Sequence, residues 1–337
     1  SYICVALSFN EWTMLVSLGL LSGLGSGLVY FCGLIIATEN VNSPGMTLAW
    51  FTAFSAIGGM VIPILAMRLS RYISYRIIYV LVSPILASYI ICQIVKVDGE
   101  GDERKTEYRK NRVGIVCLVV LNFSVHAVFF IPMLHIFAYV NDLNDVIGAV
   151  YVSAIILSQL PGRFISGILV DKKIITAIKL STIGCSMLIV AFFILITTRM
   201  VELYNVLDLT LVIIASGIFG IGISLVTSTI TLTVKEITGG GRIDQIMTIL
   251  TIVQGVAVIS STLLSHYIVT LLGMAALYSI GFLCSVIALG ATFPLLRTMP
   301  FQSDIKEAND NVLDHNPDTV HSLIEHRVAD DSKESTV

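Results

Sequence analysis

Long apolar runs separated by short polar breaks dominate the chain, and most runs exceed the length of a strand or core helix in a soluble domain. A helix crossing about 30 Å of hydrocarbon takes roughly 20 apolar residues. By that measure nine complete spans follow an opening apolar stub, at 12–36, 45–67, 76–95, 113–138, 147–170, 174–197, 209–234, 245–271 and 274–296. The breaks are mostly short, which predicts antiparallel neighbours. Two segments depart from the pattern: Lys96 to Arg112, dense in both charge signs, and Thr298 to Val337, a polar tail expected to be disordered. The chain opens SYICVALSF, already apolar and without methionine, so Ser1 to Ser8 reads as the end of a helix that begins upstream. No basic region precedes it, as a signal peptide would require.

The expected fold class is therefore all-α and polytopic. An incomplete N-terminal helical bundle covers 1–95, a central loop 96–112, a six-helix bundle 113–297 and the tail 298–337. Composition agrees: 55% of residues are hydrophobic, 13% are charged and the mean hydropathy is +0.89. Soluble domains sit nearer 45–50% and about 25%. The partner implied is a lipid bilayer, and with no basic patch nucleic acid is not one. The net charge of −3 carries little, because charge is confined largely to loops and tail. All six cysteines (Cys4, Cys32, Cys92, Cys117, Cys185 and Cys284) lie in apolar runs without CxxC or Cys/His spacing, which argues for packed thiols.

Orientation follows from Lys and Arg in the short loops. One side carries Lys96, Arg104, Lys105, Arg109, Lys110, Arg112, Lys172, Lys173, Lys179, Lys235, Arg242 and Arg297, the other Arg68, Arg71, Arg76 and Arg199. The imbalance places the central loop and the C-terminus in the cytoplasm. Arg68, Arg71 and Arg76, all in the first half, vote the other way.

Candidate chemistry concentrates in Tyr151 to Lys173, YVSAIILSQLPGRFISGILVDKK, a membrane-length run holding Gln159, Pro161, Gly162 and Arg163. A charge near the bilayer centre costs about 2.5–3.5 kcal/mol on insertion scales, so Arg163 faces protein or a water-filled cavity. There it can pair with a carboxylate ligand in a bidentate fork. The structural alternatives are a partner on a neighbouring helix, with Glu236 the candidate, or snorkelling toward the cytoplasm. Gln159 lies one turn before Arg163 on the same face and can orient a ligand or the arginine. Pro161 and Gly162 predict a kink.

His126 and His135 flank Pro132 in one span, nine residues apart and so on different faces; either can relay protons or simply pack. The hydroxyl strip Ser224, Thr227, Ser228, Thr229, Thr231 and Thr233 can line a pathway, though bonding within and between helices is the favoured role. Gly19, Gly23 and Gly27 form a small-residue face for close helix contact. No nucleophile elbow, Walker loop or HExxH motif occurs, and Gly239 to Gly241 lack the Lys and Ser/Thr of a phosphate loop. Neither enzyme activity, a cofactor nor a metal site is expected.

Five stretches carry a resemblance to a known family. They are GLGSGLVY (Gly23 to Tyr30), Tyr75 with Arg76, IPMLHI (Ile131 to Ile136), QLPGRFISGILVD (Gln159 to Asp171), and GIFGIGISL (Gly217 to Leu225) with the following VKEITG (Val234 to Gly239). Their order and spacing over residues 1 to 297 resemble the monocarboxylate transporters, a branch of the major facilitator superfamily. The resemblance implies a two-bundle fold lacking its first two helices and most of the third. It also implies a substrate site containing Arg163, Gln159, His135 and Tyr30, and a cytoplasmic gate at Asp171 and Lys172.

Departures from the family pattern bear on mechanism. Proton-linked members carry an aspartate one turn before the arginine, where this chain has Gln159, so the carboxylate of that route is gone. ENVNSPGM (Glu39 to Met46) replaces a basic loop, and Ser260, Ser261 and Thr262 replace a GPP motif. The functional expectation is a secondary transporter or facilitator of a small organic solute, a monocarboxylate or related anion, in the plasma membrane. The alternative is a non-transporting sensor or degenerate protein on the same scaffold. Some family members need a single-span ancillary glycoprotein, which is therefore an expected type of partner.

Overall fold

The structure, a computed structural model, describes residues 13, 30, 33, 43–54, 57, 72–73, 112–140, 145–201, 205–238 and 243–298, with only the backbone of 134, 136–140, 145–150, 201, 205–209 and 298. The opening stub, most of the three N-terminal spans, the central loop and the tail lie outside the described residues. So do the Gly19/Gly23/Gly27 face and the Tyr75–Arg76 pair. Up to Leu296 the described residues belong to one compact unit.

Among the described residues there is no strand. Among these same residues, five helices are each long and apolar enough to cross a membrane. They are α1 (Arg112–Val140), α2 (Asp145–Asp171), α3 (Ala177–Val201), α4 (Asn205–Thr238) and α5 (Ile243–Thr298). A further helical stretch covers 44–54. The fold is all-α, as the span pattern predicts. The spans expected at 245–271 and 274–296 appear as two limbs of α5, which break at Gly273 with φ 81° and ψ 176°. That backbone region is essentially closed to residues with a Cβ, so a glycine is what lets the chain turn there.

Large side chains stand exposed along the outer helix faces, including Phe193, Val190, Leu263, Leu264, Leu271 and Leu272. In water such a surface would aggregate. Against hydrocarbon it is solvated by lipid, which is also why the helices are apolar around most of their circumference.

Lipid tails solvate leucine as well as another leucine does, so helix association depends on close packing and hydrogen bonds. Here α4 is the hub. On one side Gly220 lies so close to α2 that a Cβ there would strike Ser158 Oγ and the Ile155 carbonyl, and a Cβ at Gly162 of α2 would strike Ser224 Oγ. On the other side a Cβ at Gly222 would sit 2.9 Å from the Gly184 carbonyl of α3, and one at Gly184 2.7 Å from the Gly222 carbonyl.

Two hydroxyl pairs lie on the same two seams: Ser166 with Ser228 at 2.6 Å and Ser181 with Thr229 at 2.7 Å. The hydroxyl strip thus divides by face. Ser228 and Thr229 join helices, Ser224 and Thr233 donate to the Ile221 and Thr229 carbonyls of their own helix, and Thr227 and Thr231 line a cavity.

Helix α1 packs against α2 and α4. At α5, Asn122 Nδ2 donates to the Leu250 carbonyl at 2.7 Å, and the Phe192 ring of α3 covers Gly281.

The glycine seams generate a paired expectation. Gly222→Val drives side-chain atoms into a backbone oxygen that cannot yield, and overpacking of this kind costs about 1–3 kcal/mol. Gly217, with nothing within 4 Å of a built Cβ, accepts alanine. Thermal unfolding of purified protein should show a clear loss for Gly222→Val and none for Gly217→Ala; equal behaviour of the two would contradict the seam.

Candidate functional site

Arg163 lies eight residues before the end of α2, about 12 Å along the helix by its rise per residue. Its Nη2 donates to Gln159 Oε1 at 2.9 Å, while its Nε is buried without a hydrogen-bond partner. The i,i+4 spacing produces that bond, because both side chains leave one helix face. Gln159 itself is buried, and its amide oxygen is taken up by the arginine. It therefore positions the guanidinium from behind. The arginine is not paired as one sequence reading allowed: the Glu236 carboxylate instead accepts from Ala177 N at 3.3 Å, at the start of α3.

In front of Arg163 is a cavity of about 210 Å³ lined from several elements. Tyr30 contributes from the N-terminal half, and Asn122, His126, Phe129 and Phe130 from α1. Thr227, Ile230 and Thr231 come from α4, and Met247, Leu250, Thr251 and Gln254 from α5. The walls mix aromatic and aliphatic surface with a few hydroxyls and amides, and among the described residues no acidic side chain lines them. Tyr30 is held by its ring contact with Phe51, at a centroid separation of 5.6 Å.

Of the expected site residues, Arg163 and Tyr30 meet at this cavity with Gln159 immediately behind. His135 does not join them. Its Nε2 is buried without a hydrogen-bond partner, and the titratable group acting on it electrostatically is His266 of α5. The physical reason is the helical period: nine residues turn the chain by about 900°, which is half a turn beyond two full turns. One histidine facing the cavity sends the other away, and His126 is the one that faces in. Its Nδ1 lies 2.9 Å from the Asn122 carbonyl, four residues back. A larger groove of about 610 Å³ runs along the outer surface past Lys179, Ile183, Met187, Val190 and Leu296. Its almost wholly apolar wall marks it as a lipid-facing surface.

The end of α2 is built differently. Lys173 adopts φ 55°, Lys173 N donates to the Val170 carbonyl at 2.9 Å and Ile174 N to the Leu169 carbonyl at 3.0 Å. This pair of bonds is the Schellman arrangement that stops a helix abruptly. It leaves Asp171 at the very end, where its two carboxylate oxygens accept from Gly45 N at 2.8 Å and Met46 N at 2.7 Å. Those amides belong to the first turn of the 44–54 helix, whose unpaired N–H groups and dipole favour an anion. The approach is possible because Gly45 and Gly167 face each other: a Cβ on Gly167 would lie 2.8 Å from the Gly45 carbonyl. Trp50 adds an edge contact to Phe164, with centroids 4.8 Å apart. Lys172 stands exposed beside this contact.

Residues 1–262 match the sequence profile of the Major Facilitator Superfamily, a stretch covering both halves of the chain. The chain belongs to the major facilitator superfamily. No curated protein matches it. Superfamily members are secondary transporters rather than enzymes, and this one is an integral membrane protein. In the superfamily the substrate site lies near the bilayer midplane between the two halves. A cavity holding Tyr30 from one half and α1, α2, α4 and α5 from the other fits that placement.

Removing the Asp171 carboxylate leaves two helix-end amides of this superfamily member unsatisfied, at a cost of about 1–3 kcal/mol. Ala49 is fully buried beneath the contact. Labelling of Ala49→Cys by a membrane-impermeant maleimide should accelerate roughly tenfold when Asp171→Ala is added, since 1.4 kcal/mol is a factor of ten. An unchanged rate would show that the carboxylate does not hold this end closed.

Proposed function

We propose that the protein moves a small organic anion, a monocarboxylate or close relative, across the plasma membrane by alternating access, with its C-terminus in the cytoplasm. The observation that carries this reading is the guanidinium of Arg163 at a cavity of about 210 Å³ whose described walls hold no acidic side chain. A neutral amide orients that guanidinium without cancelling its charge. The hydrogen bond to Gln159 is of the charge-assisted kind, about 1.5–3 kcal/mol, which only approaches the insertion cost of the arginine. A carboxylate ligand supplies the missing countercharge and the bidentate geometry. Phe129, Phe130, Met247 and Leu250 offer apolar surface for a short carbon chain, and Tyr30 and Thr227 offer hydroxyls. The cavity volume suits a small solute.

Asp171 serves as the latch in this cycle. While its carboxylate caps the 44–54 helix, the end of the bundle carrying Lys172, Lys173 and Lys235 is closed; rocking of bundle 1–95 against bundle 113–297 breaks the two bonds and opens it. Lys172, exposed next to the latch, is the counterion available to Asp171 once the amides depart.

Uptake of radiolabelled monocarboxylates by the full-length protein, at matched surface expression, tests the role of Arg163. Arg163→Ala should abolish saturable uptake, and Arg163→Lys, which keeps the charge and loses the planar fork, should weaken apparent affinity by roughly tenfold or more. Unchanged transport in both variants would sink the assignment. Gln159, an amide where proton-linked relatives by resemblance hold a carboxylate, favours one second reading, a non-transporting binder. Ligand-dependent thermal stabilisation without accumulation in vesicles would support it.

A further inference from the structure

We infer that the outer groove along α3 is a binding site for an anionic phospholipid, with the lipid phosphate at Lys179 and one acyl chain laid against the helix. The inference does not depend on what the central cavity carries.

The groove has the depth of a single leaflet. Lys179, Thr182, Ile183, Ser186, Met187 and Val190 recur at the three- and four-residue steps that keep side chains on one face of α3, flanked by Leu296 of α5 and Ile218 of α4. From Lys179 to Val190 is about 16 Å by the helical rise, close to half of the roughly 30 Å hydrocarbon core. One acyl chain therefore fits from headgroup level to midplane. Thr182 and Ser186 are small beside Ile183, Met187 and Val190, which hollows the face between them. Their hydroxyls donate back to the Ile178 and Thr182 carbonyls at 2.9 and 3.0 Å, so neither needs a polar partner from a chain lying over it.

Charge is confined to one end of this groove. Lys179 is exposed there, and Lys172 and Lys173 are exposed on the turn that leads into α3. The carboxylates of Asp171, before the turn, and Glu236, against the start of α3, are both engaged by backbone amides: Asp171 accepts from Gly45 N and Met46 N, and Glu236 from Ala177 N. The lysines are thus the groups that meet an anion arriving from the membrane. An ammonium is a compact charge that binds phosphate, and one lysine at headgroup level favours an anionic lipid over a neutral one by about fivefold. A zwitterionic lipid covers the apolar stripe equally well and lacks that factor. In the orientation proposed above this is the cytoplasmic leaflet, where anionic lipids are concentrated.

Quenching by brominated lipids tests the site in proteoliposomes of the full-length protein whose native tryptophans are replaced by phenylalanine. Val190→Trp reports the groove, and Ile287→Trp, exposed on α5 outside the groove lining, reports the general lipid face. Dibrominated phosphatidylglycerol in a phosphatidylcholine bilayer should half-quench Val190→Trp at about one-fifth of the mole fraction that dibrominated phosphatidylcholine needs. At Ile287→Trp the two lipids should quench alike. Adding Lys179→Gln should bring the two Val190→Trp curves together, while Lys179→Arg keeps them apart; Lys179 is exposed, so neither change disturbs the packed core.

Equal quenching by the two lipids at Val190→Trp overturns the site, and so does a preference that survives Lys179→Gln or is lost in Lys179→Arg. The same preference at Ile287→Trp overturns it as well, because it would then belong to the charge of the whole surface. None of these readouts requires transport, so they stand apart from the anion reading of the central cavity.

Discussion

Hydrocarbon gives helices no hydrophobic reason to associate, and the bundle is therefore set by where backbones come close enough for dispersion and short hydrogen bonds to act. In this protein that happens along the two seams of α4. Gly220 and Gly162 bring it against α2, Gly222 and Gly184 bring it against α3, and the Ser166–Ser228 and Ser181–Thr229 pairs close the same seams. The register of these contacts determines what the rest of α4 can do. With Ser228 turned to α2 and Thr229 to α3, Thr227 and Thr231 are left to face the interior, where they meet Arg163 and His126 at one cavity.

Most polar groups inside the bundle are satisfied locally, with His135 Nε2 an exception. Most hydroxyls bond back to their own helix. Two carboxylates cap helix starts: Glu236 accepts from Ala177 N, and Asp171 accepts from Gly45 N and Met46 N. Both are at the same end of the bundle, and both replace a full countercharge by the partial charge of a helix N-terminus. The difference lies in what they join. Glu236 ties α4 to α3 inside one bundle, a fixed structural link, whereas Asp171 ties α2 to the N-terminal half. Arg163 follows the other course: with one amide partner and an unpartnered Nε, its charge lies at the cavity with no carboxylate among the described residues that line it.

Much of this was legible in the sequence, and for definite reasons. Span length is dictated by bilayer thickness, so apolar run length alone located α1 to α4 to within a few residues and separated the two limbs of α5 around Gly273. The cost of a charge in hydrocarbon singled out Arg163, and the i,i+4 period predicted that Gln159 would share its face. What the chain alone did not provide was azimuth. His126 and His135 are alike as residues, and only the rotation of α1 against α2 and α4 turns the first inward and the second away. Asn122 and Gln254 drew no attention for the same reason, since an isolated amide in an apolar run has no visible partner until helices are packed.

Composition, the spacing of apolar runs and the solvation cost of ions thus determined by themselves that this is an all-helical membrane protein, and that Arg163 faces its interior rather than lipid. The tertiary structure alone decided that Glu236 caps a helix, that Asp171 bridges the two halves, and that His126 belongs to the cavity. Those facts depend on distances between residues up to 128 positions apart, as with Asn122 and Leu250. Such distances are set by helix rotation and close approach at glycine seams, for which a linear pattern of hydrophobicity holds no information.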